Sequence, residues 1–315
     1  MRILFAGTPA LAVPCLEMIA RTHDVAGVLT GRDQPAGRGR APVLSAVKEK
    51  ALSLGLRLFQ PERLDADFLS EARALMPDLL VVTAYGKIFR QVFLDIFPMG
   101  GVNLHPSLLP RHRGPSPISA ALLAGDPETG ITIQRIALKF DTGDILAQMR
   151  HPLAGEETTA TLTDTLAGKG AGLLSFVLDE IAAGRTPVPI AQREEEATYC
   201  HPLRKEDGVV RWEEPADIIE RKVRAFDPWP RAATIHSGET LLLLKSHVYP
   251  DTLPTESTGE APGTVLAADN MHGLLVRTGR GILAVERLQL QFKKPLAWRP
   301  FLNGHPQIVG TRLGA

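Results

Sequence analysis

Asn103 and His105 stand two residues apart in the stretch VNLHPSLLPRHRGPSPI, residues 102–118, and Asp141 and Asp144 flank Thr142 and Gly143 in FDTGDIL, residues 140–146. An amide that donates a hydrogen bond, beside an imidazole that titrates near neutrality, suits a reaction in which an oxyanion develops and a proton moves. A carboxylate brought against such an imidazole holds its tautomer and stabilises its charged form. Each piece also has a plain structural use, since Asn and His are common at strand ends and D-x-G-D makes a good turn. Spacing alone does not carry Asp141 to His105; only a fold does.

The elements that must position these side chains can be read around them. RILFAG (2–7) reads as a strand, with a helix entered near Pro14, a residue that fits a first helical turn and not an interior. VAGVLT (25–30) is a second strand, KEKALSLGL (48–56) a helix, and DLLVVTAYG (78–86) a nearly continuous apolar run, as in a strand buried on both faces. GGVNLHPS (100–107) is a further strand, so Asn103 and His105 point to the same side of it and Leu104 to the other. The carboxyl ends of such strands are where open α/β sheets bind ligands. GITIQRI (130–136) and DILAQMRHP (144–152) form a hairpin, and residues 161–184 show helical periodicity. Together these predict an α/β, Rossmann-like domain with a mostly parallel sheet. The four prolines of 102–118 exclude helix and central strand there and predict a stiff loop.

Residues 185–208 turn polar, with prolines and an acidic run, and read as a linker. Beyond them, ATIHSG, TLLLLKSHVY, GTVLAA, GLLVRT and GILAVERLQL recur at roughly ten-residue spacing between Gly and Pro, the pattern of a small β-barrel or sandwich. The expected domains are therefore 1–188, a linker over 189–208, and an OB-like C-terminal barrel over 209–315.

Composition narrows the function classes. With 35 Lys and Arg against 35 Asp and Glu, the chain as a whole does not attract nucleic acid by bulk charge. From residue 209 onward, 13 Lys and Arg face 11 Asp and Glu, so a nucleic-acid surface there has to come from arrangement. Two distant cysteines, Cys15 and Cys200, suit a reducing compartment, and with neither a signal peptide nor a long apolar run the expectation is a cytoplasmic protein. No HExxH or CxxC occurs and no metal is expected. FAGTP (5–9) keeps one glycine where a dinucleotide site needs three, against a nicotinamide or flavin enzyme.

The motif N-L-H-P-S-L-L-P-R-x-R-G-x-x-P at 103–117, with D-T-G-D at 141–144, resembles the 10-formyltetrahydrofolate-dependent formyltransferase family. The resemblance implies a catalytic trio of Asn103, His105 and Asp141, and a folate-binding segment at Ser107, Leu108, Leu109 and Pro110. It implies that 10-formyltetrahydrofolate is the co-substrate, and a monomer suffices for such an enzyme. In the reaction so implied, Asn103 and a protonated His105 stabilise the developing oxyanion while Asp141 orients His105 and assists proton transfer.

Three features resemble the branch of that family that acts on the methionyl ester of initiator tRNA. PAGRGR (35–40) is similar to its basic loop, making Arg32, Arg38 and Arg40 candidate tRNA contacts. AFDPWPRA (225–232) resembles a signature of its second domain, and the appended C-terminal domain offers Lys293 and Lys294 as further contacts. Transfer to a small amine, glycinamide ribonucleotide or an amino sugar, is the alternative, and the loop and the second domain argue against it. A folate- or RNA-binding protein without catalysis would have lost one of Asn103, His105 and Asp141, and all three are present. The basic loop departs from the family pattern at Arg40–Ala41, and His112 stands where an aromatic is usual.

Overall fold

The structure is a computed structural model describing residues 1–36, 41–250 and 259–314. Contacts divide it into two units: residues 1–117, 128–153 and 162–202 form the first, and residues 118–127, 154–161 and 203–315 the second.

The first unit is built on a seven-stranded sheet. Its strands are β1 (Arg2–Gly7), β2 (Asp24–Leu29), β5 (Leu58–Phe59), β6 (Leu79–Thr83), β7 (Gly101–His105), β8 (Glu128–Arg135) and β9 (Ile145–Pro152), in the order β5-β2-β1-β6-β7-β8-β9. A separate two-stranded hairpin pairs β3 (Gln34–Ala36) with β4 (Ala41–Val43). Pairing is parallel from β5 through β7 and antiparallel from β7 through β9. This is the Rossmann-like arrangement, and strand order reverses direction between β1 and β6, the switch point at which such sheets bind ligands.

The central strands are nearly continuous apolar runs for a reason the helices supply. Ile3, Leu4 and Phe5 of β1 and Leu79, Leu80 and Val81 of β6 are fully buried, because helices cover both faces. On one face an aromatic cluster of Phe59, Phe68, Tyr85, Phe89 and Phe93 packs against Leu4, Leu80 and Val82. The helices of this unit are α1 (Val13–Thr22), α2 (Ala46–Ser53), α3 (Ala66–Ala74), α4 (Gln91–Leu94) and nearly all of α6 (Thr159–Ala182), whereas α5 (Pro117–Ala124) falls, but for its first residue, in the second unit. Pro14 lies in the first turn of α1 as predicted, while Ser45 and Asp65 accept from the backbone of Lys48 and Phe68 to start α2 and α3. The long α6 lies close over β7. A Cβ at Gly170 would sit 2.7 Å from Leu104 Cδ1, so a glycine is what lets the helix approach the strand bearing Asn103 and His105.

Residues 189–208, read from composition as a linker, do more than connect. Ile190 forms an antiparallel bridge to Ile145, and residues 198–200 run parallel to Arg113, exchanging backbone hydrogen bonds with it.

The C-terminal part of the second unit is β-rich, as the strand pattern of the sequence leads one to expect. After α7 (Ala216–Ala225) come β10 (Ala232–His236), β11 (Glu239–Val248), β12 (Val265–Asp269), β13 (Gly273–Arg277), β14 (Ile282–Leu290) and β15 (Leu296–Ala297), in an antiparallel sheet of order β10-β11-β14-β13-β12 with β15 beside β14. A final helix, α8, spans Trp298–Gly304. One core joins Ile219 and Val223 of α7 to Leu241, Leu243, Leu274 and Leu288 of the sheet and to Trp212, whose indole N–H donates to Thr234 Oγ1 at 3.0 Å.

Candidate active site

The side chains separated in sequence meet at the carboxyl end of β7. Alternation puts Asn103 and His105 on one face, and antiparallel pairing sets Gln134 and Thr132 of β8 directly opposite them. Asp141 lies in the turn that leads into β9. Its Oδ1 is 3.5 Å from His105 Nδ1 and 3.4 Å from Asn103 Nδ2, and it accepts a hydrogen bond from Gln134 Nε2 at 3.0 Å. Its Oδ2 accepts from the backbone N–H of Gly114 at 2.9 Å. The expected trio therefore converges on one carboxylate.

Asp141 occupies the left-handed region, φ +54°, which few non-glycine residues adopt and Asp tolerates. The next glycine explains the D-T-G-D spacing: a Cβ on Gly143 would collide with the carbonyl of Arg135, so only glycine lets the turn lie this close to β8.

His105 is buried. Its Nε2 lies 3.0 Å from the carbonyl of His112, which can only accept, so the ring carries its proton on Nε2. Burial pushes the imidazole pKa down from its usual value, opposed by the nearby Asp141 carboxylate and the His112 carbonyl. The other ring nitrogen, Nδ1, faces the Asp141 carboxylate. Burial thus works against the protonated ring expected from the sequence, and the Asp141 carboxylate works for it.

The proline-rich loop is braced from β8 and β9. Thr132 Oγ1 donates to the carbonyl of Ser107 at 2.7 Å and accepts from Leu109 N at 3.1 Å, and Gln148 Nε2 donates to the carbonyl of Leu109 at 2.8 Å. Ser107 Oγ closes the turn on the carbonyl of Arg111 at 2.6 Å. Of the four residues assigned to folate, Ser107 and Leu109 are buried, and Leu108 and Pro110 keep part of their surface. The RHRG tail gains a clear use. His112, φ +58°, presents its carbonyl to His105, and Gly114 presents its N–H to Asp141. Arg113, 1% exposed, extends between Gln192, Glu194 and Tyr199.

Two residues of the site carried a weak signal or none. Gln134 is one of two polar side chains alternating in the apolar strand GITIQRI, and that period-2 pattern marks it. Gln192 lies in the polar stretch after α6, with nothing local to distinguish it. Cys200, near the same loop, donates its S–H to the carbonyl of Arg113 and accepts from Ser116 N, each at 3.3 Å. Burial and the Asp141 charge push its thiol pKa up, which favours the protonated thiol.

Of the expected tRNA contacts, Arg32 is exposed and paired with Glu62 at 3.0 Å, and Lys293 and Lys294 lie exposed after β14 in the second unit. Arg38 and Arg40 fall outside the described residues. Among the described residues no cluster of His, Cys, Asp or Glu is set to hold a metal ion, and no helix is long and apolar enough to cross a membrane.

The arrangement fits an N-formyl donor. The Asn103 carboxamide makes a long hydrogen bond to Asp141, and the half-buried amide has a second N–H for a ligand oxygen. A proton acceptor stands beside it at His105 Nδ1.

Comparison with known proteins agrees. Residues 1–178 match the model of the formyl transferase family and residues 202–306 that of the formyl transferase C-terminal domain. A methionyl-tRNA formyltransferase of Treponema denticola is 45% identical, covering 98% of both chains, and one of Roseiflexus castenholzii is 44% identical over 100% of this chain and 99% of its own. In fold, HypX from Aquifex aeolicus, solved with tetrahydrofolic acid, aligns at a TM-score of 0.62 and 20% identity over 98% of this chain and 48% of its own. An N-formyltransferase from Helicobacter canadensis aligns at 0.64 and 18% identity over 90% of this chain and 98% of its own. The chain belongs to the formyl transferase family, in the branch of its methionyl-tRNA formyltransferase relatives.

Proposed function

We propose that the protein transfers the formyl group of 10-formyltetrahydrofolate to the α-amino group of methionyl-initiator tRNA, in the cytoplasm and as a monomer. The observation that carries the chemistry is the convergence of Asn103, His105 and Asp141 at the end of β7. The acceptor follows from full-length similarity to methionyl-tRNA formyltransferases.

The co-substrate supplies the formyl carbon as an activated amide. Asn103 donates its free N–H to the formyl oxygen as negative charge develops there, an interaction whose loss costs ~100- to 1000-fold in rate. His105 Nδ1 takes the proton released when the α-amino nitrogen bonds to the formyl carbon. Asp141, 3.5 Å away, stabilises the imidazolium so formed. His105 then returns the proton to the nitrogen that leaves, so the ring ends neutral and no net proton is consumed. The Nε2–H bond to His112 keeps the ring from turning during the exchange. Ser107 to Pro110 bound the folate side, and Arg32, Arg38, Arg40, Lys293 and Lys294 meet tRNA phosphates, where charge positions the acceptor without reading bases.

The test is formylation by the purified protein of methionyl-initiator tRNA, run beside methionyl-elongator tRNA, glycinamide ribonucleotide and an amino sugar nucleotide. Transfer confined to the initiator species is expected. Preferred transfer to a small amine would overturn the acceptor assignment.

A further inference from the structure

Residues 190–200 are fastened to the catalytic loops at three places. Ile190 exchanges both backbone hydrogen bonds with Ile145, at 2.8 and 2.9 Å, beside the D-T-G-D turn. Arg113 donates its N–H to Thr198, and Cys200 donates to the carbonyl of Arg113, both at 2.8 Å. Between these two anchors, the Gln192 side chain reaches the Asp141 turn itself. Its Nε2 lies 2.9 Å from the carbonyl of Asp141 and 2.7 Å from that of Gly143, with Gln134 Oε1 a longer third acceptor at 3.3 Å. Its Oε1 accepts from Arg113 Nε at 3.0 Å, which fixes which end of the amide is which.

These bonds close a circuit. The residues on either side of Arg113 hold the catalytic pair: His112 by its carbonyl to His105, and Gly114 by its N–H to Asp141. The Arg113 side chain orients Gln192, and Gln192 holds the backbone of Asp141. The guanidinium is itself fixed by Glu194 and Tyr199, at 2.8 and 2.9 Å. Asp141 needs such a clamp because its left-handed backbone is intrinsically costly for a residue with a side chain.

We infer that Gln192 is a positioning residue for formyl transfer: it holds the Asp141–Gly143 turn so that the carboxylate stays in register with Asn103 and His105. It touches no substrate, and its effect passes through Asp141. The inference rests on the formyl-transfer reading and refines it.

The full-length chain is compared with Gln192→Met and Gln192→Glu. Methionine keeps length and loses both donors. Glutamate keeps the acceptor for Arg113 but turns an oxygen on the two carbonyls. Transfer by the parent chain tests the underlying reading; the ratio of variant to parent tests Gln192. For folded variants, kcat is expected to fall about 10- to 100-fold with KM for both substrates within twofold, the signature of a displaced catalytic group. A kcat within twofold of the parent in either folded variant, or a loss confined to KM, overturns the inference. Failure of both variants to fold would make Gln192 a residue of the fold and overturn it as well.

Discussion

The Asp141 carboxylate lies 3.5 Å from His105 Nδ1, while the opposite ring nitrogen, Nε2, lies 3.0 Å from the carbonyl of His112. Burial lowers the His105 pKa below its ordinary value of 6.5, which favours a neutral ring able to accept a proton. The rate of formyl transfer is expected to be insensitive to this group above pH 6.5 and to fall on the acid side of that value, once Nδ1 is occupied. A single-turnover pH profile from 5 to 8 reads this directly. A rate that climbs as pH falls through 6.5 would instead require the charged ring.

Asp141→Asn tests the charge separately from the shape. The amide retains an oxygen for Gly114 N, so the turn keeps that anchor, while the partner of the imidazolium is lost. kcat is expected to drop by roughly 100- to 10,000-fold, the range of a group assisting proton transfer, with thermal unfolding little changed. Parent-like turnover would show that the carboxylate is structural.

Thr132→Val bears on the loop and not on the chemistry. Its buried hydroxyl serves Ser107, Leu109 and Gln148, so valine leaves buried polar groups without partners. A loss of about 1–3 kcal/mol in unfolding free energy is expected, measurable by denaturant titration. An unchanged midpoint would mean that the loop satisfies itself without β8.

For the second unit, the Lys293→Ala, Lys294→Ala double variant is expected to raise KM for methionyl-initiator tRNA and to leave KM for 10-formyltetrahydrofolate unchanged. Each phosphate contact removed should also flatten the dependence of log affinity on log salt by about 1. An unaltered salt slope in tRNA binding would place the contacts elsewhere.

Acid stability follows from buried histidines. Burial lowers the pKa of His23, His105 and His236, so each fold position favours the neutral ring. Unfolded rings bind protons from about pH 6.5 downward, while the folded ones wait for lower pH. The unfolded state thus binds more protons in that window, and the stability present above 6.5 is lost as pH falls through the folded values. The decline in Tm between pH 7 and 5 is expected to be shallower in His236→Asn than in the parent; an equal or steeper decline would contradict the assignment.

How much of this was legible varies with how local the cause is. β7, its Asn-x-His pair, the D-T-G-D turn and the continuous apolar strands are written in neighbouring residues, and the structure reproduces them. The two-residue strand Leu58–Phe59 and the short helix Gln91–Leu94 are too brief to leave a period. Gln192 was illegible for another reason: its partners at 113, 141 and 143 are distant in sequence, and only tertiary closure brings them to one side chain. The downward pull on the His105 pKa was hidden likewise, because it comes from burial that no local pattern reports.

The most direct measurement is single-turnover formyl transfer from 10-formyltetrahydrofolate to methionyl-initiator tRNA by the parent chain, Asn103→Ala and Asp141→Ala, with melting curves of all three. The parent is predicted to transfer, and each variant to be slower by at least about 100-fold while still folding. Near-parent rates in either folded variant would contradict the account.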